Sequence, residues 1–227
     1  MKVILFGASG MVGQGALREL LADPEVSSVL AIGRSPTGRR DAKLKELIQE
    51  DVADLQMLEQ ELRSYDACLF CLGVSAVGMS EPEYKRVTYD LTLRVAQTLE
   101  RLNPRMTFVY VSGGGTDPTE RGGVMWARVK GATENALLAM PFARAYMLRP
   151  GFIRPLHGVV SKTGWYRALY ALAGPAYPLL KRLFPGQVTT TEELGQAMLH
   201  LVKRGFSERV LENRDIAALA AGPALHT

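Results

Sequence analysis

The chain has 227 residues, 27 of them basic and 23 acidic, for a formal net charge of +4. That length is long for one domain and short for two, and a hydrophobic content of 47% suffices for a large core. The charge excess is too small to indicate nucleic-acid binding, and two cysteines, Cys68 and Cys71, are too few for a disulfide framework.

In chain order, Val3, Ile4, Leu5 and Phe6 form a short apolar run of high β-propensity. Gly7, Gly10 and Gly13 follow at a spacing of three and three. Residues 14–22 then read as a helix, with Leu17, Leu20 and Leu21 on one face. Strand, glycine turn and helix form the context in which a pyrophosphate is gripped. Gly7 lets the chain turn off the strand, Gly10 leaves room for the phosphate, and Gly13 lets the helix approach the sheet. The amides around Ser9, Gly10, Met11 and Val12 have no helical partners, and the helix dipole favours an anion beside them. The first apolar run is four residues long, shorter than a secretory core, so no signal peptide is expected. Residues 168–180 are uncharged but short of a membrane span and interrupted by Pro175 and Pro178. A cytoplasmic protein is the expectation.

Residues 26–32 predict a second strand ending at Gly33. Where an NAD enzyme places an acid for the ribose 2′-hydroxyl, no carboxylate stands between Glu25 and Asp41, and Arg34 is present instead. A guanidinium pairs two N–H groups with a phosphate, so NADP is expected ahead of NAD. Residues 44–49 predict a third strand, and Asp54 is expected to cap a helix over 55–62. Asp51 and Val52 fall where a loop lies along an adenine. Residues 66–72 form the fourth strand, with Leu72, Gly73 and Val74 at its tip. Cys68 and Cys71, three apart in a strand, face opposite sides and read as buried small hydrophobes. A long helix over 81–102 starts at Pro82 and ends before Asn103 and Pro104.

Residues 106–111 form the fifth strand, followed by Ser112 in a loop of glycines, a hydroxyl well placed to touch a ligand. A helix over 123–140 carries Trp126 and Lys130. Residues 143–148 give the sixth strand. The stretch 152–185 holds five basic residues, six aromatics and no acid. It reads as a substrate cap beside the cofactor, in preference to a membrane-surface patch. A capped helix over 192–203, a short strand at Val210 and Leu211 and a helix from Asp215 complete the chain. The three histidines have no metal-ligand spacing, and no metal is expected. Alternating strands and helices imply an α/β fold with a doubly wound parallel sheet, order 3-2-1-4-5-6 with room for a seventh strand. The chain is read as one domain, 1–227, with 152–190 as the cap within it.

These marks together resemble the short-chain dehydrogenase/reductase superfamily, in its atypical or extended branch near the Tat-interacting-protein-like and NmrA-like oxidoreductases. The residues that carry the resemblance are Gly7-Ala8-Ser9-Gly10-Met11-Val12-Gly13, Arg34, Asp51-Val52, Leu72-Gly73, Ser112-Gly113, Lys130 and Arg149-Pro150-Gly151. On that basis Pro150, Gly151 and Ile153 join the cofactor-binding set. The resemblance implies a catalytic group of Ser112, Lys130 and a tyrosine four residues before the lysine. That position holds Trp126. The family tyrosine exchanges a proton with the substrate oxygen, and the lysine lowers its pKa and holds the ribose. An indole does not ionise in this range. Two functions therefore stand: an NADP-dependent oxidoreductase of an apolar small molecule, or an NADP(H)-binding regulator or scaffold with little turnover. His157 and Tyr166 are alternative proton donors, and a homodimer through the two long helices is the family-level expectation.

Overall fold

The computed structural model describes residues 1–158 and 186–222. Seven parallel strands form one sheet in the order β3-β2-β1-β4-β5-β6-β9. They are β1 (Lys2–Phe6), β2 (Ser28–Gly33), β3 (Leu44–Ile48), β4 (Ala67–Phe70), β5 (Thr107–Val111), β6 (Arg144–Arg149) and β9 (Val210–Glu212). The anticipated seventh strand is β9, paired with β6. A separate parallel pair joins β7 (Phe152–Arg154) to β8 (Val188–Thr190). The helices are α1 (Met11–Ala22), α2 (Glu81–Lys85), α3 (Leu91–Leu102), α4 (Met125–Ala139), α5 (Thr191–Arg204) and α6 (Asn213–Ala220).

The central strands are buried on both faces, so their side chains split by alternation. Val3 and Leu5 join the layer beneath α1, α5 and α6, while Ile4 and Phe6 join the layer beneath α3 and α4. Cys68 and Cys71 are free thiols that fall in opposite layers, as their spacing requires. Burial pushes the Cys71 thiol up to about 12. Across the second layer Phe6, Phe70, Phe108 and Phe142 stand ring to ring, with centroids 5.4, 6.0 and 5.0 Å apart.

Two expectations are corrected. Residues 55–62 form no regular helix: a single 3-10 turn spans Gln56–Leu58, and Asp54 caps nothing. Leu55 and Leu62 are buried and Met57 is 94% exposed, but apart from that 3-10 turn the chain reaches these positions through turns rather than a continuous helix. The helix over 81–102 is continuous but carries a π turn, Arg86–Asp90, between α2 and α3. Its start is a capping box of Ser80 and Glu83 around Pro82.

The tightest helix contact is α1 against α5. A Cβ on Gly15 would lie 2.3 Å from the Thr191 carbonyl oxygen, and one on Gly195 would lie 2.9 Å from the Gly15 carbonyl oxygen. Because the obstacle at Gly15 is backbone, Gly15→Ala should force the helices apart and cost about 1–3 kcal/mol. A urea titration reads this as a lowered midpoint.

Candidate functional site

The strand order reverses between β1 and β4, and the carboxyl ends of these two strands flank a crevice where α/β sheets bind ligands. Gly7 turns the chain there with φ +78°, and a Cβ on it would meet the Cys71 carbonyl at 2.8 Å. Gly13 seats α1 on that turn: its missing Cβ would lie 2.1 Å from the Gly7 carbonyl oxygen. Gly10 caps α1 without any side-chain hydrogen bond, and the first turn contains no acid. Ser9, Gly10, Met11 and Val12 are all half-exposed; the Gly10 amide donates to the Gly7 carbonyl at 2.9 Å, and the Gln14 side chain donates to the Ser9 carbonyl at 3.1 Å. Ala8 is buried, and Val12 packs its side chain against the core.

Arg34 follows β2 and is exposed, with no carboxylate partner among the described residues. Beside it a narrow slot is lined by Ser9, Gly33, Ser35, Thr37 and Glu46. Glu46 comes from β3, and its carboxylate accepts the Thr37 amide at 2.7 Å. An acid therefore does stand near the end of β2, supplied by the neighbouring strand. A scan along the chain between Glu25 and Asp41 could not find it, because only strand register brings it there. Asp51 is exposed, accepts the Ala53 amide at 3.0 Å and lies 3.5 Å from Arg94. Val52 is 4% exposed, its side chain buried in the core. At the tip of β4, Gly73 and Val74 are exposed, while Leu72 packs on the core.

At the end of β5 the Lys130 ammonium donates to the Ser112 carbonyl. The Ser112 hydroxyl is buried against Thr116, 2.8 Å away, and Thr116 donates to the Gly113 carbonyl. Trp126, one turn before Lys130 on α4, lies over Gly115. The structure thus brings Ser112, Trp126 and Lys130 to one loop. Burial lowers the Lys130 ammonium to about 8, partly offset by Glu134 four residues on. Glu134, 1% exposed, is also gripped by Arg149 through Nε and Nη2, and Arg149 reaches Glu212 at 3.0 Å. The spacing of Lys130 and Glu134 could have flagged this acid in the sequence; Glu212 could not be so found.

Pro150 and Gly151 follow, with the Pro150 carbonyl accepting the Gly114 amide at 2.8 Å. The Gly151 amide donates to the Asn213 side chain at 2.9 Å. The Asn213 amide nitrogen is buried and has no partner, a free donor beside this loop that sequence reasoning missed. Ile153 turns its side chain to the core. His157 is held by Glu192, 2.6 Å away at the start of α5. Within the cap, Lys162, Trp165, Tyr166, Arg167, Tyr170, Tyr177, Lys181, Arg182 and Phe184 lie outside the described residues. Among the described residues there is no group of three metal-ligating side chains, and no helix is long and apolar enough to cross a membrane.

The profile of the NAD dependent epimerase/dehydratase family matches residues 3–121, just over half of the chain. The chain belongs to this family. Among relatives, leucinostatins biosynthesis cluster protein T of Purpureocillium lilacinum is 25% identical over 98% of this chain and 90% of its own. Protein FMP52, mitochondrial, of Saccharomyces cerevisiae is 28% identical over 88% and 87%. The protein of that name from Emericella nidulans aligns over 66% of each chain. An oxidoreductase of the short-chain dehydrogenase/reductase family from Burkholderia thailandensis superposes with a TM-score of 0.69 at 17% identity, covering 97% and 93%. Bordetella bronchiseptica WbmF, solved with NAD+, gives 0.67 at 14% identity, covering 97% and 76%. The fold is that of the extended short-chain dehydrogenase/reductase type, with its pyridine-nucleotide Rossmann sheet. The cytoplasmic expectation is corrected: the two FMP52 relatives are named as mitochondrial, and a low cysteine count does not separate the two reducing compartments.

Lys130 supplies a pH test. A lysine whose folded pKa lies below its ordinary 10.5 binds its proton more weakly when folded. Stability should therefore rise as pH climbs from about 8 towards 10.5, where the unfolded chain holds more protons. Lys130→Met should flatten that rise in urea midpoints measured across this range.

Proposed function

We propose that the protein is an NADP-dependent oxidoreductase acting on an apolar small molecule. The observation that carries this reading is the Lys130 ammonium, half-buried on the Ser112 loop and lowered to about 8 at the carboxyl end of β5. A group with that pKa exchanges a proton near neutral pH, the task that Trp126 cannot perform.

The residues present fit a pyridine dinucleotide. The uncapped first turn of α1 has amides for a pyrophosphate, and Gly13 keeps that turn pressed on Gly7. Arg34 is free to pair with a 2′-phosphate, while Ser35 and Thr37 line the slot beside it. Glu46 lends that slot a negative charge that weakens a 2′-phosphate, held in check by its bond to the Thr37 amide. Asp51 and the backbone of Val52 suit an adenine edge. Pro150, Gly151 and the free amide of Asn213 suit the other end of the ligand. When bound, the dinucleotide supplies or accepts the hydride. Ser112 would orient a substrate oxygen once its hydroxyl turns from Thr116, Lys130 would hold the proton, and Trp126 would shield the loop from water. The apolar, acid-free stretch 152–185 supports an apolar substrate.

A second reading, an NADP(H)-binding regulator or scaffold, is favoured by Trp126 and by the engagement of the Ser112 hydroxyl with Thr116. NADPH oxidation against a carbonyl panel separates the two. Under the first reading the native chain turns over, and Lys130→Ala lowers the rate about 10²–10⁴-fold. Turnover confined to Trp126→Tyr would establish the second.

Cofactor choice has its own test. NADP should raise the melting temperature more than NAD. Arg34→Ala should weaken NADP about tenfold or more and leave NAD nearly unchanged. Glu46→Gln should strengthen NADP. Equal loss of both cofactors in Arg34→Ala would remove the 2′-phosphate role.

A further inference from the structure

The amino ends of the strands carry a second concavity, at the opposite edge of the sheet from the glycine turn. Arg144 opens β6, Arg209 immediately precedes β9, and Arg204 ends α5. With Tyr146, Phe206 and Ser207 they line a cavity of about 510 Å³. That lies within the range of small-molecule sites, roughly 300–1,000 Å³. Arg144 and Arg149 bound the same strand, which places the two ends roughly 16 Å apart at a strand's rise per residue.

The walls are fixed by hydrogen bonds. The Tyr146 hydroxyl accepts the Phe206 amide at 2.9 Å and lies 3.2 Å from the Phe206 carbonyl, to which it donates. This clamps the α5–β9 connection to β6. The Met147 amide donates to the Arg209 carbonyl at 2.8 Å, fixing the start of β9. Gly205 has φ +74°, and a Cβ there would lie 2.7 Å from Nη1 of Arg144. The glycine therefore leaves the space in which that guanidinium lies.

The charges in this cavity are unbalanced. Among the described residues no carboxylate lies within ion-pair distance of Arg144, Arg204 or Arg209, and Lys203 is already engaged by Asp23 and Glu25. Glu208, the acid of the same loop, is exposed and pairs with none of them. The carbonyl end of α5 contributes about half a negative charge. That is small beside three full positive ones, so the net field favours an anion. Guanidinium forks match phosphate oxygens bidentately, the Ser207 hydroxyl adds a donor, and the exposed Phe206 ring offers a flat apolar wall.

We propose that this cavity is a second anion site, separate from the dinucleotide cleft, which takes a small phosphate monoester or diphosphate. The site does not depend on the cofactor reading, since its residues come from the other end of the sheet.

Inorganic pyrophosphate is the probe, titrated calorimetrically into the full chain at fixed ionic strength, alone and with excess NADP. Binding tighter than about 1 mM that persists with NADP present is expected. Arg144→Gln combined with Arg209→Gln should weaken it about tenfold or more while the unliganded melting temperature holds. The pair Arg86→Gln and Arg121→Gln, with the same loss of charge away from this cavity, should leave it unchanged. Binding that NADP abolishes, binding equal in native chain and Arg144/Arg209 variant, equal weakening in both double variants, or no saturable binding would each overturn the proposal. Should the dinucleotide reading fail instead, the arginine variants still locate the site.

Discussion

The structure depends on one close approach: the Gly13 backbone lies against the Gly7 carbonyl, nearer than any side chain at residue 13 would allow. This contact presses the first turn of α1 onto the tip of β1, where the sheet changes direction. That turn has no side-chain cap on its amides, and its residues are half-exposed. Gly15 repeats the device on the far side of α1, where Thr191 crosses it. One helix is thus fixed against both the sheet and α5 by missing Cβ atoms. Bulkier residues would give more buried area there but would lift the helix from the crevice.

A second constraint is electrostatic. Glu134 is almost fully buried and would be costly alone. Arg149 meets it through two nitrogens and also reaches Glu212, so the ends of β6 and β9 and the middle of α4 are tied at one point. Lys130 lies one turn away and feels the same carboxylate. Burial lowers the ammonium, Glu134 restores part of its charge, and the balance leaves it near neutral pH. The ion pair that anchors the sheet's edge therefore also tunes the one amine on the Ser112 loop.

The replacement of a tyrosine by Trp126 alters what this loop can do. An indole covers Gly115 and cannot pass a proton, and the Ser112 hydroxyl is spent on Thr116. Under the proposed oxidoreductase reading, proton traffic rests on Lys130. The same chain places Arg144, Arg204 and Arg209 at the opposite end of β6, where no carboxylate among the described residues pairs with them. The glycine turn and this cluster stand at opposite ends because the strands are parallel: their carboxyl ends collect one set of loops, and their amino ends collect another.

The sequence by itself determined the sheet's composition and the position of the cleft. Alternating apolar runs, each followed by glycine or a turn, are local patterns, and a parallel sheet buried on both faces leaves them few arrangements. Gly7, Gly10 and Gly13 were legible as a local spacing after a strand, although the space each leaves is bounded by Cys71 at Gly7 and by the Gly7 carbonyl at Gly10 and Gly13. Residues 55–62 were misread because Leu55, Leu58 and Leu62 carry a helical spacing that the folded chain meets with a 3-10 turn and irregular turns. Tertiary structure alone decided that Glu46 stands beside Thr37, that Arg149 joins Glu134 to Glu212, and that Asn213 meets Gly151. These partners lie from 9 to 63 residues apart. Strand register brings them together, and register is a property of the folded sheet rather than of any one stretch of chain.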